Sequence, residues 1–411
     1  MRKRRLILGA LALLSLVLGA LLRDETTADV RGMLGEIAPG AAFDVAPGAD
    51  HLFRSQTGDV AFRSHDLVPS VRGYAGPIKL LVVLGPDGTI RGLRILEHRE
   101  TKNYVHYLET PAYLDRFIGK SILDRFEVDR DVDGISRATV SVEALARTLR
   151  DSSRTAAERA YGLRVPGGQE RAARGWEWVL YGGLYLTAAA GYVLTRRSQR
   201  WQPFRDGVLI ASIVMVGWYL SAPFSILHVF NLALFRPSSS VLWYMIVGGA
   251  LLSIAVAGRF TCGWICPFGA LAELIGRMPT RKWTISADTD GKGRELKYVL
   301  LGAAAAAVLV SGRTEYGNYE AYVTLFALQG TPIAWMLVVV ALAANLRVKR
   351  FWCRYLCPVA ALTALLSRSD PAYISRPDCP MGNRPHPETN ECIRCNRCYQ
   401  ASAPDEYKRT Y

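Results

Sequence analysis

Residues 259–271 read RFTCGWICPFGAL, and residues 350–362 read RFWCRYLCPVAAL. The two stretches align without a gap, and each contains the pattern Cys-x-x-x-Cys-Pro. Residues four apart share one face of a helical turn, so each stretch presents a pair of thiols on one side. Because both copies directly follow an apolar run, the repeat predicts two related cysteine pairs at the same membrane depth.

Four thiols brought together by this repeat match the number that a tetrahedral metal or iron–sulfur site requires. The candidate ligands of this second redox or metal site are Cys262, Cys266, Cys353 and Cys357. The alternative is that they are small buried residues at the ends of packed helices, since free cysteine is often buried and inert.

The apolar runs around the repeat predict membrane spans, because about 20 apolar residues cross the hydrocarbon core. We place spans near 176–195, 206–228, 241–258, 296–311 and 331–347. Pro223 predicts a kink or an early end in the second of these. Lys and Arg concentrate in the loops 196–205 and 277–297 and after residue 346, which is the positive-inside pattern. The net charge of +14 therefore indicates membrane topology and argues against nucleic-acid binding.

The N-terminus has four basic residues followed by the apolar run LILGALALLSLVLGALL. This predicts a membrane anchor that would bring the count to about six helices, the alternative being a cleaved signal. Either would export the polar residues that follow. That polar part shows a strand-like run at Ile78–Leu84, a turn at Gly85–Gly88 and a helix near Val142–Tyr161, which is an α+β pattern.

All eight cysteines lie after residue 260, so they are not a disulfide framework of an exported domain. The last four are Cys379, Cys392, Cys395 and Cys398. The Cys-x-x-Cys-x-x-Cys run resembles the head of a ferredoxin motif, and Cys379-Pro380 resembles the tail of another. Since the fourth cysteine of such a run ligates the other cluster, the four predict one [4Fe-4S] site. A zinc knuckle and an empty degenerate site are the alternatives.

A motif before the long helix of the polar part reads DGISRAT at 133–139. It resembles the Asp-x-x-Ser/Thr-Gly-Ala-Thr motif of covalent FMN-binding domains, with Arg137 in place of glycine. The resemblance implies that Thr139 carries FMN through a phosphoester bond; the alternative is a helix-capping threonine. The other cofactor-binding residues that it implies are Asp133, Ser136, Ala138, Glu100 and Thr101.

The whole domain order resembles the NosR/NirI type of membrane flavo-iron–sulfur protein, and its membrane part is also similar to the NapH and PceC types. The implied fold is an α+β exported FMN-binding domain joined to an α-helical membrane domain of about six transmembrane helices, with a short ferredoxin-like C-terminal segment. The implied boundaries are 1–22 for the anchor, 23–172 for the FMN domain, 173–368 for the membrane domain and 369–411 for the ferredoxin-like segment.

The resemblance implies an electron-transfer protein of the bacterial inner membrane, with the FMN domain in the periplasm and the C-terminus in the cytoplasm. Electrons would pass between cytoplasmic iron–sulfur centres, or a quinol, and covalent FMN in support of a nitrous-oxide or nitrite reductase. We expect covalent FMN, a 4Fe-4S cluster, a second metal centre and a quinone as cofactors. The expected partners are a periplasmic reductase or its accessory proteins and an FMN transferase. A redox-responsive regulator and a metal-delivery protein are the alternatives.

Overall fold

The computed structural model describes residues 30–45, 51–68, 78–98, 108, 110–128, 130–134, 139–165, 176–235, 240–312, 314–328, 331–368, 379–382 and 390–399. They fall into two compact units: one spans 23–173 together with 231–240, and the other contains 174–230 and 241–411. The expected N-terminal anchor lies outside the described residues.

The first unit is built on an antiparallel sheet in which five strands follow one another in chain order. The strands are β1 (Phe43–Val45), β2 (Leu52–Ser55), β3 (Val60–Arg63), β4 (Lys79–Leu84) and β5 (Ile90–Glu97). The expected strand at 78–84 corresponds to β4. The expected turn after it joins β4 to β5, with Gly88 at a φ of 74° that an L side chain rarely adopts.

Alternate side chains of β4 bury themselves on opposite faces of the sheet, as the two-residue period of a strand dictates. Leu80, Val82 and Leu84 belong to the main core, which also contains Val142 and Leu145. Leu81 and Val83 instead pack with Leu34 on the other face. A strand that is buried on both faces reads as a continuous apolar run, and this explains the sequence KLLVVL.

The helices of this unit are α1 (Val30–Ile37), α2 (Ser64–Leu67), α3 (Pro111–Leu114) and α4 (Thr139–Tyr161), with a 3₁₀ turn at Asp115–Phe117. The long helix α4 begins three residues before the expected start, so that Thr139 is its first residue. Its apolar side contributes Val142, Leu145 and Leu149 to the main core. The α+β expectation for this part of the chain is confirmed.

The regular secondary structure of the second unit is helical, and its described C-terminal residues 379–382 and 390–399 form turns and irregular segments. Its helices are α5 (Trp176–Arg197), α6 (Gln202–Ser212), α7 (Ile226–Ala233), α8 (Val241–Ala257), α9 (Phe260–Trp264), α10 (Pro267–Gly276), α11 (Ala287–Ser311), α12 (Ala321–Ala327), α13 (Pro332–Arg347), α14 (Phe351–Tyr355) and α15 (Pro358–Leu366). Short 3₁₀ turns lie at Gln199–Trp201 and Thr314–Gly317, and a π-helical segment spans Ile213–Tyr219.

The expected spans correspond to helices, but the second is interrupted. After the π-helical segment Ser221 adopts a φ of 46°, and the helix resumes only at Ile226, beyond Pro223. The proline therefore ends the helix, as expected. Among the described residues one helix, Trp176–Arg197, is long and apolar enough to cross a membrane, or two if the bent pair α12 and α13 counts as one span. The count of six spans is not confirmed.

Candidate functional site

The start of α4 carries the flavin motif, and two side chains of the preceding segment hold part of it. The Tyr113 hydroxyl donates to the backbone carbonyl of Asp133 at 2.8 Å, and Arg116 Nη1 donates to Asp133 Oδ2 at 2.6 Å. Thr139 is the first residue of α4, where free backbone N–H groups favour a phosphate. Ser136, Ala138, Glu100 and Thr101 lie outside the described residues.

The two cysteine-pair repeats have the same local fold. In each, a five-residue helix carries the first cysteine, and the second cysteine precedes a helix that starts with proline. The sulfur of that second cysteine accepts a backbone N–H at 3.4 Å, from Gly269 to Cys266 and from Ala360 to Cys357. Proline at the first helical position has no N–H to leave unsatisfied, so it suits this place.

The four cysteines of the repeats form one electrostatically coupled set. The Cys266 thiol is coupled to those of Cys262 and Cys353, and the Cys357 thiol is coupled to all three others. None of the four is in a disulfide. The structure therefore brings together the thiols that the repeat relates across 91 residues of chain.

The C-terminal cysteines form a second coupled set. The Cys398 thiol is coupled to those of Cys395, Cys392 and Cys379. Arg394 and Asn396 adopt positive φ angles of 58° and 61°, which curl the chain between the cysteines, and the Arg394 N–H points to the Cys392 sulfur at 3.4 Å. Burial raises the pKa of the Cys379 thiol to about 12, so an isolated thiol here is neutral and a positive iron ion would favour the thiolate.

The two cysteine sets are neighbours. Cys262 of the first repeat packs in one buried cluster with Met381, Ile393 and Cys395, and Cys379 lies against this cluster. The approach is close, because a Cβ atom on Gly263 would stand 2.0 Å from the Ile393 carbonyl oxygen. The Trp264 indole N–H donates to the Arg394 carbonyl at 3.0 Å. Sequence reasoning missed this contact, and Gly263 beside the cysteine was its one visible signal.

Buried charges surround both sets. Glu391 binds Arg259 Nη1 at 2.7 Å and Lys297 Nζ at 2.6 Å, and all three side chains are almost fully buried. Burial favours a raised pKa for Glu391, but the charges of Lys297 and Arg259 outweigh it and lower the pKa to about 2. Glu273 similarly binds Arg205 and Arg350, each at 2.7 Å. From the sequence, Arg205, Lys297 and Arg350 counted only as topology charges, and Glu273 and Glu391 stood out in no motif.

The donor set is of the kind that iron–sulfur clusters use. Within the described part of the chain, no three His, Cys, Asp or Glu side chains are arranged to hold one metal ion. A cluster separates its thiolates around several irons and takes N–H donors to its sulfurs. Backbone N–H groups already face Cys266, Cys357 and Cys392, so both sets provide donors of this kind.

Comparison with known proteins gives two family models. An FMN-binding domain matches residues 73–153, which include all the residues of the flavin motif. A 4Fe-4S binding domain matches residues 239–286 and 328–376. These ranges contain Cys262, Cys266, Cys353 and Cys357, and they end before Cys379. The chain thus carries an FMN-binding and a 4Fe-4S binding domain, and the match places the second on the repeats.

Similar proteins point the same way. The chain is 28% identical to protein NirI of Paracoccus denitrificans over 50% of its own length and 35% of that protein. It is 27% identical to the regulatory protein NosR of Pseudomonas aeruginosa over 50% of its length and 33% of that protein. The chain is similar to flavo-iron–sulfur proteins of the NosR/NirI type. The resemblance recognised from the motifs is confirmed.

The chain covers about a third of the length of NirI and NosR. It is also similar to one component of the ion-translocating oxidoreductase complex of Cereibacter sphaeroides, with 29% identity over 35% of the chain and 78% of that component. No solved structure matches the chain.

Proposed function

We propose that the protein transfers electrons between iron–sulfur centres and a flavin, and thereby supports a respiratory reductase of denitrification. One observation carries the proposal: the two cysteine sets are in contact through Cys262, Cys379 and Cys395. A role in packing alone does not explain why the eight cysteines lie in two groups of four whose thiols interact electrostatically. Clusters and flavin supply the one-electron chemistry when they are bound.

The protein's own residues bury the two cysteine sets and supply charges of opposite sign beside them. An iron–sulfur cluster with four thiolates is an anion, and its burial requires compensating positive charge. Arg259 and Lys297 lie beside the C-terminal set, and Arg350 donates to the backbone carbonyl of Cys262 at 3.0 Å. We assign one [4Fe-4S] cluster to Cys379, Cys392, Cys395 and Cys398, and a second centre to Cys262, Cys266, Cys353 and Cys357.

The proposal also covers where the flavin and the domains lie and which proteins take part. FMN is held covalently at Thr139, and its other binding residues are Asp133, Ser136, Ala138, Glu100 and Thr101. The flavin domain, 23–172, faces the periplasm, the membrane domain spans 173–368 in several passes after an anchor at 1–22, and the segment 369–411 lies in the cytoplasm. The electron source is the cytoplasmic centres or a quinol, and the partner is a nitrous-oxide or nitrite reductase or its accessory protein. An FMN transferase attaches the flavin.

A regulatory role is the second candidate, because the relative in Pseudomonas aeruginosa is named a regulatory protein. In that case the redox state of the flavin or a cluster changes a contact with a partner and so controls expression or maturation of the reductase. Metal delivery by the cysteine pairs is a third outcome that the same experiment separates.

The test compares Thr139→Ala with Thr155→Ala, which lies on the same helix α4. The purified membrane fraction is run on a denaturing gel, and flavin fluorescence, iron content and reductase activity in cells are measured. We expect Thr139→Ala to lose the fluorescence and electron delivery while keeping its iron, and Thr155→Ala to keep all three. Fluorescence that persists in Thr139→Ala would refute the attachment site. An effect only on reductase expression supports the regulator, and no defect at all supports metal delivery.

A further inference from the structure

Two tyrosines in the helical unit have buried hydroxyls for which no hydrogen-bond partner exists among the described residues. Tyr181 lies in α5 and is 2% exposed. Tyr319 lies between the 3₁₀ turn at 314–317 and helix α12. A buried hydroxyl that makes no hydrogen bond is unfavourable, because it has given up its bonds to water without replacement. Each of these hydroxyls therefore requires an explanation.

Neighbouring tyrosines show that hydroxyls in this unit ordinarily find partners. The Tyr185 hydroxyl, one turn after Tyr181, donates to the carbonyl of Gly249. The Tyr322 hydroxyl donates to the Glu320 carboxylate. Tyr181 and Tyr319 thus differ from Tyr185 and Tyr322, whose hydroxyls have partners.

Each of the two hydroxyls interacts electrostatically with the second cysteine of a different repeat; the Tyr322 hydroxyl interacts with both cysteines, but Glu320 already satisfies it. The Tyr181 hydroxyl is coupled to the Cys266 thiol, and the Tyr319 hydroxyl is coupled to the Cys357 thiol. These two cysteines occupy equivalent positions, and each already accepts one backbone N–H at 3.4 Å. The repeat is therefore matched by a pair of unpartnered donors, with one tyrosine for each half.

We propose that Tyr181 and Tyr319 are hydrogen-bond donors to the centre held by the four cysteines of the repeats and that they set its reduction potential. The inference rests on the proposed function, because it requires a redox centre at these cysteines. A donor to a cluster or its thiolates stabilises the reduced form, which carries one more negative charge, and so raises the potential. The unpartnered hydroxyls are then the donors that the bound centre satisfies.

The test measures the midpoint potential of the centre in the purified full-length protein by a redox titration followed by electron paramagnetic resonance. The variants are Tyr181→Phe, Tyr319→Phe and the double variant, each of which removes only the hydroxyl groups. Tyr185→Phe is the matched control, since it removes a hydroxyl from the same helix α5 that already has a partner. Iron content is measured for every variant.

We expect each single variant to raise the ratio of oxidised to reduced centre at a fixed ambient potential by about tenfold, which is a fall of about 59 mV for a one-electron centre. The double variant should shift by about twice as much, and Tyr185→Phe should not shift. If the double variant loses its iron, the single variants decide the question.

The result that overturns this inference is a double variant, or a pair of single variants, with wild-type iron and a wild-type potential. A shift in Tyr185→Phe as large as those of the other two would also overturn it. In both cases the proposed function survives. A wild-type protein without iron at Cys262, Cys266, Cys353 and Cys357 overturns the inference together with that part of the proposed function.

Discussion

The first repeat has Gly263 where the second has Arg354, and both residues face the C-terminal segment. Gly263 leaves room for the backbone of Ile393, whose carbonyl oxygen occupies the place of a side chain. Arg354 instead reaches past Gly382, where a Cβ atom would stand 2.4 Å from the guanidinium carbon. In the first repeat a small residue, Gly263, meets a large one, Ile393. In the second repeat a large residue, Arg354, meets a small one, Gly382.

The arginine that opens each repeat also has a different partner. Arg259 bonds to Glu391 of the C-terminal segment, whereas Arg350 bonds to Glu273 and to the Cys262 carbonyl of the first repeat. Arg350 thus ties the two repeats together, and Arg259 ties them to the segment that carries the other four cysteines. The two repeats are therefore alike in the positions of their cysteines, but they differ in how they bind the C-terminal segment.

The largest effect should come from Glu391→Gln, which breaks the link made by Arg259. The substitution removes the carboxylate charge that binds Arg259 and Lys297, and loss of one partner of a buried ion pair costs about 3–5 kcal/mol. We expect the C-terminal segment to detach and trypsin to cleave the full-length protein at Arg394 and Arg397. Asp288→Asn, at an exposed ion pair with Lys292, is the control. A wild-type cleavage pattern in Glu391→Gln would contradict this docking.

A smaller effect should come from Gly263→Ala, which reduces the difference in size between the two repeats at this position. The added methyl group collides with the Ile393 carbonyl, and overpacking of this kind costs about 1–3 kcal/mol. We expect a lower thermal midpoint and faster cleavage of the C-terminal segment. Gly248→Ala in α8 is the matched control, because no atom lies within 4 Å of its Cβ position. Equal behaviour of the two variants would show that the segment does not sit against Gly263.

The smallest effect should come from Gly269→Ala, which makes the first repeat resemble the second, where Ala360 occupies the equivalent position. The methyl group would stand 2.9 Å from the Cys262 carbonyl oxygen, to which Arg350 donates. We expect a loss of about 1 kcal/mol of stability, at the lower end for overpacking, measured as a fall in the thermal midpoint. Gly276→Ala, on the same helix with only ordinary contacts nearby, should lose less. A larger loss at Gly276 would contradict the close approach of Gly269 to the Cys262 carbonyl oxygen.

The sequence alone predicted the chemistry, because the chemistry depends on short spacings. The spacing of four between paired cysteines, the flavin motif at 133–139 and the apolar run of β4 are each visible within about ten positions. The α+β domain, the helices at the expected spans and the helix end at Pro223 were also visible in local patterns of apolar, turn-forming and proline residues. The number of spans was predicted less well. Hydropathy depends on composition alone, so it does not reveal a break in a helix such as that at Ser221.

The contacts that organise the site join residues far apart in the chain, and only the tertiary structure decided them. Arg259 and Glu391 are separated by 132 residues, and Tyr181 is 85 positions from the cysteine with which it is coupled. No local pattern predicts which of two equivalent arginines turns to the C-terminal segment. The sequence determined which thiols exist and in what pairs. Packing decided that the two sets touch, which buried charges balance them and which hydroxyls were left without a partner.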